Sequence, residues 1–291
     1  MATPERTDTI LRATGLLVIE VINSNPNGDP DRESDPRQRD DGRGEISPVS
    51  LKRKIRDLID DKGGPVWSHL KNRFALDDDE YRILESRGRV RKDIERELAE
   101  RTFVRKYWDG RVFGNTFLEE GASTFIKTGA VQFGLGVSIA PVDIRRITTT
   151  NKAGVEDDKD RGMAPLGYRV VQHGVYCMPF FVNPTAAVKS GCTKRDIDAM
   201  LAAIPYAYTH TASYIRSFVE IRKAWYMEHT SPLGSCSDFA LIDALTPKKI
   251  GDVEKSSLSW QDYEVPSSLP QELRDCLASC RDLMDDRSQV E

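Results

Sequence analysis

The chain has 291 residues, a formal net charge of −4, 39% hydrophobic residues and 30% charged residues. These values are typical of a globular protein with enough apolar material for a buried core. No apolar run approaches the roughly 20 residues that a membrane-spanning helix needs, and the opening residues, MATPERTDTI, lack the apolar core of a signal peptide. We therefore expect a cytoplasmic protein with no membrane partner.

Charge is distributed unevenly along the chain. Residues 37–56 contain seven Lys or Arg against three Asp or Glu, and residues 82–111 contain ten against six. Residues 252–291 contain four against ten. A weakly acidic average that conceals two basic tracts is typical of a protein with one anion-binding face, and an ordinary solvated helix surface explains the second tract equally well.

Cysteine usage indicates neither a disulfide framework nor a metal site. The chain contains no C-x-x-C pair. Cys276 and Cys280 are one helical turn apart, but no second Cys or His pair completes a zinc site. We expect buried core thiols, no metal and no cofactor. The five cysteines are Cys177, Cys192, Cys236, Cys276 and Cys280.

The first predicted elements are a strand and a helix, separated by a long loop rich in Asn, Pro, Gly and Asp. The run TGLLVIEVI at 14–22 is short, apolar and β-branched, which is typical of a strand buried on both faces. The segment SPVSLKRKIRDLID predicts a helix, because Ser47 caps its first turn and Pro48 suits the first position. Its apolar stripe is Leu51, Ile55, Leu58 and Ile59.

The middle of the chain predicts an insertion, a strand and a hairpin. Residues 62–128 are charged and largely helical, which indicates a helical insertion. Residues 130–142 alternate with period two, which predicts one strand. Residues 145–170 have strand-like ends and a polar middle with a glycine, which predicts a long protruding hairpin that serves contact. The residues expected on one face of the strand are Val131, Phe133, Leu135, Val137 and Ile139.

The last part of the chain predicts two strands and two helical regions. A strand is expected at 170–182 and another at 218–230. Between them, a helix from 193 is expected to bend at Pro205 and continue through 207–216. Residues 269–284 predict an amphipathic C-terminal helix. Without the insertion and the arm, the order is strand, helix, strand, strand, helix, strand, so the predicted fold class is α+β with a ferredoxin-like or RNA-recognition-motif plan.

The sequence motifs give little support for metal-dependent or nucleophilic catalysis. Aligning an EF-hand loop from Asn23 places Ser34 where a bidentate glutamate is needed, and aligning it from Asp29 places Ser34 where a glycine is needed. The chain has no G-x-S-x-G elbow, no H-E-x-x-H pair, and no G-x-x-x-x-G-K-[ST] phosphate loop.

Anion binding is the function that the motifs support better than metal-dependent or nucleophilic chemistry. The helix start that carries SLKRKIR offers backbone N–H groups and a favourable dipole. Three of its four cationic side chains, Lys52, Arg53 and Arg56, lie near one edge of the apolar stripe. Such groups suit successive phosphates of a nucleic-acid backbone without reading bases. A basic amphipathic helix that only faces solvent accounts for the same residues equally well.

The motifs resemble those of a known family. The loop NSNPNGDP, the run GEISPVSLKRKIR and a polar arm between later strands resemble the Cas seven family, the CRISPR-associated Cascade backbone subunits of the RAMP superfamily. The segments FGNTFLEEGASTFIKTGAVQFGLGVSIAPVDI and YMEHTSPLG resemble its type I-C branch most. The resemblance implies a subunit that polymerises along a guide RNA and presents it in segments for pairing with target DNA, as part of a complex with other Cascade subunits.

The resemblance also implies a domain plan and site residues. Residues 1–61 and 129–291 would form the RNA-recognition-like palm with C-terminal helices, residues 62–128 the helical web, and residues 145–167 the β-hairpin thumb. Each thumb would fold over the palm of the neighbouring copy and displace one guide base. The implied RNA-binding residues are Asn25, Asn27, Ser47, Ser50, Lys52, Arg53 and Arg56, with Met163 as a wedge between bases in the thumb.

Two alternatives stay open. Type III backbone subunits resemble the same plan and cut target RNA with one loop aspartate, and Asp29, Asp31 and Asp35 lie in the corresponding loop. A carboxylate with a divalent metal could assist attack by a 2′-hydroxyl there. Because the resemblance is to type I, we expect a protein that binds RNA and does not cut it. The second alternative is a structural adaptor that binds no RNA.

Overall fold

The centre of the fold is an antiparallel β-sheet with helices packed against it. The computed structural model describes residues 9–86, 91–114, 128–151 and 164–285. Within these residues the sheet has eight strands, and two short strands form a separate pair. The chain therefore has a mixed α/β fold.

The strands are Ala13–Ser24 (β1), Arg43–Ile46 (β2), Val131–Phe133 (β3), Gly136–Pro141 (β4), Ile144–Asn151 (β5), Ala164–Val182 (β6), Val219–His229 (β7), Lys248–Lys249 (β8), Tyr263–Glu264 (β9) and Leu277–Asp282 (β10). The main sheet has the order β10-β7-β1-β6-β4-β2, and β3 and β5 also pair with β6. Strands β8 and β9 form the separate pair.

The α-helices are Pro48–Asp60 (α1), Pro65–Phe74 (α2), Arg91–Ala99 (α3), Phe103–Lys106 (α4), Trp108–Phe113 (α5), Pro184–Ser190 (α6), Lys194–Ala203 (α7), Asp238–Leu245 (α8) and Gln271–Arg274 (α9). Helices α2 to α5 lie in the segment for which the sequence predicts a helical insertion. In the part of the chain that the structure describes, no helix combines the length and the apolar character needed to cross a bilayer.

Strand β1 is buried on both faces, as its β-branched sequence predicts. It pairs with β6 along one edge and with β7 along the other, both antiparallel. Its side chains alternate between two cores, because successive residues of a strand point to opposite faces. Leu17 and Ile19 pack in the core that includes α1 and α7, while Leu16 and Val18 pack in the core that includes α8.

Helix α1 begins where its sequence signals predict. Ser47 is the N-cap residue, Pro48 is the first helical residue, and the predicted apolar stripe is buried. Lys54 is also buried, and its Nζ donates to Thr211 Oγ1 at 2.8 Å. Burial lowers the pKa of Lys54 to about 8, and the nearby positive charge of Arg216 acts in the same direction.

The single strand predicted at 130–142 is two strands. The break falls at Gly134 and Leu135, between β3 and β4, and Leu135 is exposed instead of lying on the buried face. Opposite the break, β6 carries Pro179, whose carbonyl oxygen accepts from Gly134 N at 2.8 Å. Proline has no N–H to donate back to the same edge, so the ladder is interrupted there.

The prediction of one helix over residues 269–284 is wrong. Only the four residues of α9 are helical, and β10 follows and pairs with β7. Asp282 Oδ1 accepts from the backbone N of Ala224 on β7 at 2.9 Å. The helical spacing of the leucines is overridden because the open edge of β7 offers unpaired backbone groups.

The continuous helix predicted after α7 is also wrong. Helix α7 ends at Ala203, before Pro205, and the chain continues in three short 3₁₀ turns, Ile204–Tyr206, Thr209–Thr211 and Tyr214–Arg216. A proline ring blocks the preceding helical turn, which ends the α-helix at this point.

The two sides of the predicted hairpin at 145–167 are paired strands. Strand β5 pairs antiparallel with β6 from Ile144 opposite Val171 to Asn151 opposite Ala164. Residues 152–163, including Met163, lie outside the described residues. A protruding thumb with a Met163 wedge therefore stays a prediction.

Gly15 in β1 allows two aromatic rings to close over the strand. Its partners on the neighbouring strands are Phe180 and Tyr226, whose rings stack with centroids 6.4 Å apart. A Cβ on Gly15 would overlap the ring of Phe180, which is fully buried. The absence of a side chain is therefore a packing requirement.

We predict that Gly15→Ala lowers the free energy of unfolding by about 1–3 kcal/mol, because the added methyl group forces buried rings to move. Urea unfolding followed by tryptophan fluorescence measures this change. Exposed Gly63 is the matched control, because the nearest atom to a Cβ added there would be 3.9 Å away. Gly63→Ala should change the free energy of unfolding by less than about 0.5 kcal/mol. Equal effects of the two substitutions would contradict the packing explanation.

Candidate nucleic-acid interface

The β1–β2 loop (residues 25–42) is attached to the start of α1 by Asn27. Asn27 Oδ1 accepts from Ser47 N at 3.0 Å and from Ser47 Oγ at 2.7 Å. Its backbone oxygen accepts from Arg37 N at 3.0 Å. Asn27 is buried, so this amide holds the loop in place beside the helix start.

Ser47 and Ser50 form the cap of α1. Ser47 Oγ accepts from Ser50 N at 3.2 Å while its own proton goes to Asn27. Both serines are half-buried. The predicted cap is confirmed. The two serines, both predicted site residues, shape the start of α1, where an anion would approach the helix.

Asn25 anchors the loop on its other side. Its Nδ2 donates to Ser34 O at 2.7 Å, and its backbone oxygen accepts from Arg216 Nε at 3.1 Å. Its Oδ1 is buried and has no hydrogen-bond partner among the described residues. Asn25 and Asn27 are therefore both structural parts of the loop.

The three loop aspartates have separate surroundings. Asp29 Oδ1 accepts from Asp31 N at 3.1 Å inside a turn, and Asp31 is exposed. Asp35 forms an ion pair with Arg169 on β6. Across the described ranges, no group of three or more His, Cys, Asp or Glu side chains is arranged to hold a metal ion.

Two of the three predicted cations of α1 reach the surface. Arg53 is exposed and pairs with Asp57 one turn later, with Nε 2.7 Å from Oδ1. Lys52 is half-buried, with its Nζ 5.5 Å from the centroid of the Phe113 ring. Burial lowers the pKa of Lys52, and the charge of Arg56 adds to that effect.

Arg56 points into the protein instead of toward a ligand. Its Nε donates to Asp109 Oδ2 at 2.9 Å, and its Nη1 lies 2.9 Å from Glu85 Oε2. Asp109 is buried and also accepts from Leu84 N at 2.6 Å. Burial raises the pKa of Asp109, although Arg56 and the backbone donors oppose the shift. Arg56 therefore joins α1 to the segment that carries α5.

The base of the β5–β6 arm carries cations that the sequence patterns did not single out. We define the arm base as Arg145, Arg146, Tyr168 and Arg169. Arg146 lies directly opposite Arg169 in the strand pair, and both are exposed. Like charges placed opposite each other destabilise a strand pair. Asp35 of the β1–β2 loop neutralises Arg169, so the arm base and the loop are held together by charge.

Two of the four histidines have structural partners, and the cysteines differ in exposure. His173 lies between Ser257 Oγ at 2.7 Å and Glu20 Oε1 at 3.2 Å, and His229 lies 3.3 Å from Asp238 Oδ1. Both histidines are buried. The expectation of buried thiols holds for Cys192, whereas Cys177, Cys236, Cys276 and Cys280 are half-buried.

We predict that Arg56→Met lowers the free energy of unfolding by about 3–5 kcal/mol, because it leaves the Asp109 carboxylate buried without a counter-charge. Exposed Arg53 is the matched control, and Arg53→Met should cost only about 0.3–0.5 kcal/mol. Urea unfolding at several pH values measures both. The Arg56→Met deficit should shrink as pH falls, since a carboxyl with a raised folded-state pKa favours folding more when it is protonated.

Removing both partners distinguishes the ion pair from simple loss of packing. Arg56→Met combined with Asp109→Asn should be more stable than Arg56→Met alone, because no buried charge is left unpaired. A double variant as unstable as the single one would contradict this account.

Comparison with known proteins places the chain in a family. Two chains titled "CRISPR RNA-guided surveillance complex, pre-nicking" and "CRISPR RNA-guided surveillance complex" are 14% and 15% identical, with TM-scores of 0.49 and 0.38. The alignments cover 75% of this chain and 78% of the first, and 74% of this chain and 69% of the second. A chain titled "Cryo-EM structure of the Type III-B Cmr-beta bound to cognate target RNA" is 12% identical, with a TM-score of 0.42, over 75% of this chain and 61% of that one.

No curated protein sequence matches the chain. The family model described as "CRISPR-associated protein Cas7" matches residues 11–268, which is well over half of the chain. The chain belongs to the CRISPR-associated protein Cas7 family.

Proposed function

We propose that this protein is the guide-RNA-binding backbone subunit of a type I-C CRISPR interference complex. Family membership supports the general role, and one geometric observation carries the assignment of the site. The β1–β2 loop connects two cationic surfaces, because Asn27 bonds to Ser47 at the start of α1 and Asp35 pairs with Arg169 at the arm base. A nucleic-acid backbone that crosses the loop meets positive charge on both sides.

The contacts in this proposal are made to phosphates. Lys52 and Arg53 are the fifth and sixth residues of α1, one turn beyond the N-terminus at which the dipole favours anions. Arg145, Arg146 and Arg169 extend the cationic surface along the arm base. Contacts of this kind position a strand without reading its sequence, so sequence recognition is left to pairing between the guide and target DNA.

The domain plan is part of the same proposal. The strand order β7-β1-β6-β4 supports a ferredoxin-like palm. The insertion, taken as the web, is held on the palm by buried pairs, including Arg111 with Asp196 at 2.8 Å and Arg56 with Asp109 at 2.9 Å. The paired strands β5 and β6 support a thumb that extends beyond the arm base.

Further copies of this chain and other Cascade subunits are the proposed partners. Copies would line up along one guide RNA, with each thumb reaching the palm of its neighbour. This arrangement requires each copy to contact the next through the same pair of surfaces, as in other homopolymers. A cytoplasmic location stays a prediction.

We propose that the subunit binds RNA without cutting it. The roles of two of the three loop aspartates support this choice over the type III endoribonuclease. Asp29 accepts a backbone hydrogen bond within the turn, and Asp35 is paired with Arg169. Both carboxylates therefore contribute to the shape of the loop.

We predict that Lys52→Glu combined with Arg53→Glu removes most co-purifying RNA, because two attractive charges become repulsive toward phosphates. The ratio of absorbance at the nucleic-acid and protein maxima, followed by sizing before and after ribonuclease treatment, measures the loss. The matched control is Lys248→Glu combined with Lys255→Glu, which makes the same charge change at two exposed lysines in the C-terminal part of the chain. RNA content and particle size that survive the first double substitution would show that the phosphate contacts are wrongly assigned to α1, whereas wild-type protein that contains no RNA would favour the adaptor.

We predict no cutting of RNA complementary to the guide when the assembled complex is incubated with Mg²⁺. Denaturing gels of end-labelled RNA measure the products, and each of Asp29→Ala, Asp31→Ala and Asp35→Ala serves as a comparison. Cuts at regular spacing that disappear in one of these variants would establish the endoribonuclease instead.

A further inference from the structure

Exposed aromatic side chains are concentrated beside the end of β1. Among the described residues, Tyr214 and Phe218 are each 67% exposed, and Phe239 on α8 is the third aromatic side chain with large exposure. Two of the three therefore lie within one five-residue segment, residues 214–218. Large aromatic rings are normally buried, and clustered exposed rings are typical of an interaction site.

The segment that carries these rings is fixed to the sheet and to the β1–β2 loop. Phe218 N donates to Ser24 Oγ at 3.0 Å, and Phe218 O accepts from Ile22 N at 2.9 Å. Ile215 O accepts from Asn25 N at 2.7 Å. The backbone below the rings is thus held at both ends, so a ligand would meet preorganised side chains and would lose little chain entropy on binding.

Tyr214 is supported from the arm base by Tyr168. The two rings meet edge to face, with centroids 5.5 Å apart and planes at 68°. Their hydroxyl oxygens are 3.4 Å apart. This contact fixes the orientation of the Tyr214 ring while leaving most of its surface exposed.

Charge around the rings indicates which kind of flat ligand fits. Arg216 lies between Tyr214 and Phe218 in the chain. Because successive strand residues point to opposite faces, exposed Arg145, which pairs with Val170, shares the face of the arm that carries Tyr168. Arg145 and Arg216 give the rings cationic neighbours. Aromatic rings interspersed with arginines bind single-stranded nucleic acid, because bases stack on the rings while cations meet the backbone.

We propose that Tyr214, buttressed by Tyr168, is a stacking site for an unpaired base of the guide RNA. The site rests on the proposed function and extends it, since the phosphate contacts of α1 and the arm base hold the strand while Tyr214 holds one base. Stacking makes no use of base edges, so the site accepts any of the four bases. It lies beside the end of β1, where Asn25 N donates to Ile215 O.

The test uses the assembled complex with a guide RNA that carries the fluorescent base 2-aminopurine at one position at a time. Stacking on an aromatic ring quenches this base. We expect Tyr214→Ala to restore emission at regularly spaced guide positions, and Tyr214→Phe to leave it quenched because the ring remains. Phe239→Ala is the matched control, since it removes a ring on α8 that is also largely exposed.

A photo-crosslink identifies the strand. Guide RNA containing 5-iodouridine should crosslink to the peptide that contains Tyr214, and single-stranded DNA containing 5-iododeoxyuridine should not. Removal of the ring should also weaken binding of a short single-stranded RNA to the subunit by about 5- to 150-fold. Crosslinking to the DNA alone would overturn the assignment to the guide.

The outcomes separate this inference from the proposed function. Unchanged emission and crosslinking in Tyr214→Ala, in a complex that still contains guide RNA, would overturn the stacking site and leave the phosphate contacts intact. Wild-type protein that contains no RNA would instead overturn the proposed function. Because Tyr214 is largely exposed, Tyr214→Ala should keep the thermal unfolding midpoint of the wild type, and this measurement accompanies the others.

Discussion

Strand β1 constrains everything around it because it is paired along both edges and buried on both faces. A strand in that position offers neither its backbone nor its side chains to a ligand. Functional groups must therefore lie where the strand ends. At that point the structure brings together the β1–β2 loop, the start of α1, the arm base and the segment 214–218.

The second face of the sheet is occupied by the C-terminal part of the chain. Helix α8 and residues near Tyr263 and Leu269 pack there on Leu16 and Val18. Polar anchors fix this layer, since His173 joins Glu20 to Ser257, and Thr14 Oγ1 donates to Asp238 Oδ1 at 2.5 Å. RNA-recognition motifs stack bases on the open face of a four-stranded sheet. A covered sheet has no such surface, which is consistent with exposed rings at its margin.

Local signals in the sequence were sufficient for some elements. The strand at 14–22 and the start of α1 at Ser47 and Pro48 were predicted from composition and capping alone, because the residues that determine them are neighbours in the chain. The surroundings of the proposed site residues were predicted only partly. Lys52 and Arg53 reach the surface, but the inward turn of Arg56 depends on Asp109, which lies 53 residues away in sequence. The spacing of α1 alone does not show that Arg56 turns inward.

Long-range pairing explains the remaining differences. Leucines at helical spacing in 269–284 predict a helix, yet the edge of β7 recruits them as a strand. Alternation in 130–142 predicts one strand, yet Pro179 on β6 breaks the ladder. The arm-base arginines become a shared surface only when β5 and β6 pair, so their proximity is a property of the sheet and not of a motif.

In the ion pair between Asp35 and Arg169, a carboxylate occupies the position that a phosphate would take in the proposed site. In the proposed function, a strand that approaches the arm base would exchange one anion for another, so Arg169 would have a counter-charge in both states. The net cost of desolvating the guanidinium would be correspondingly small. The same exchange would return the Asp35 carboxylate to water and release the contact between the loop and the arm base.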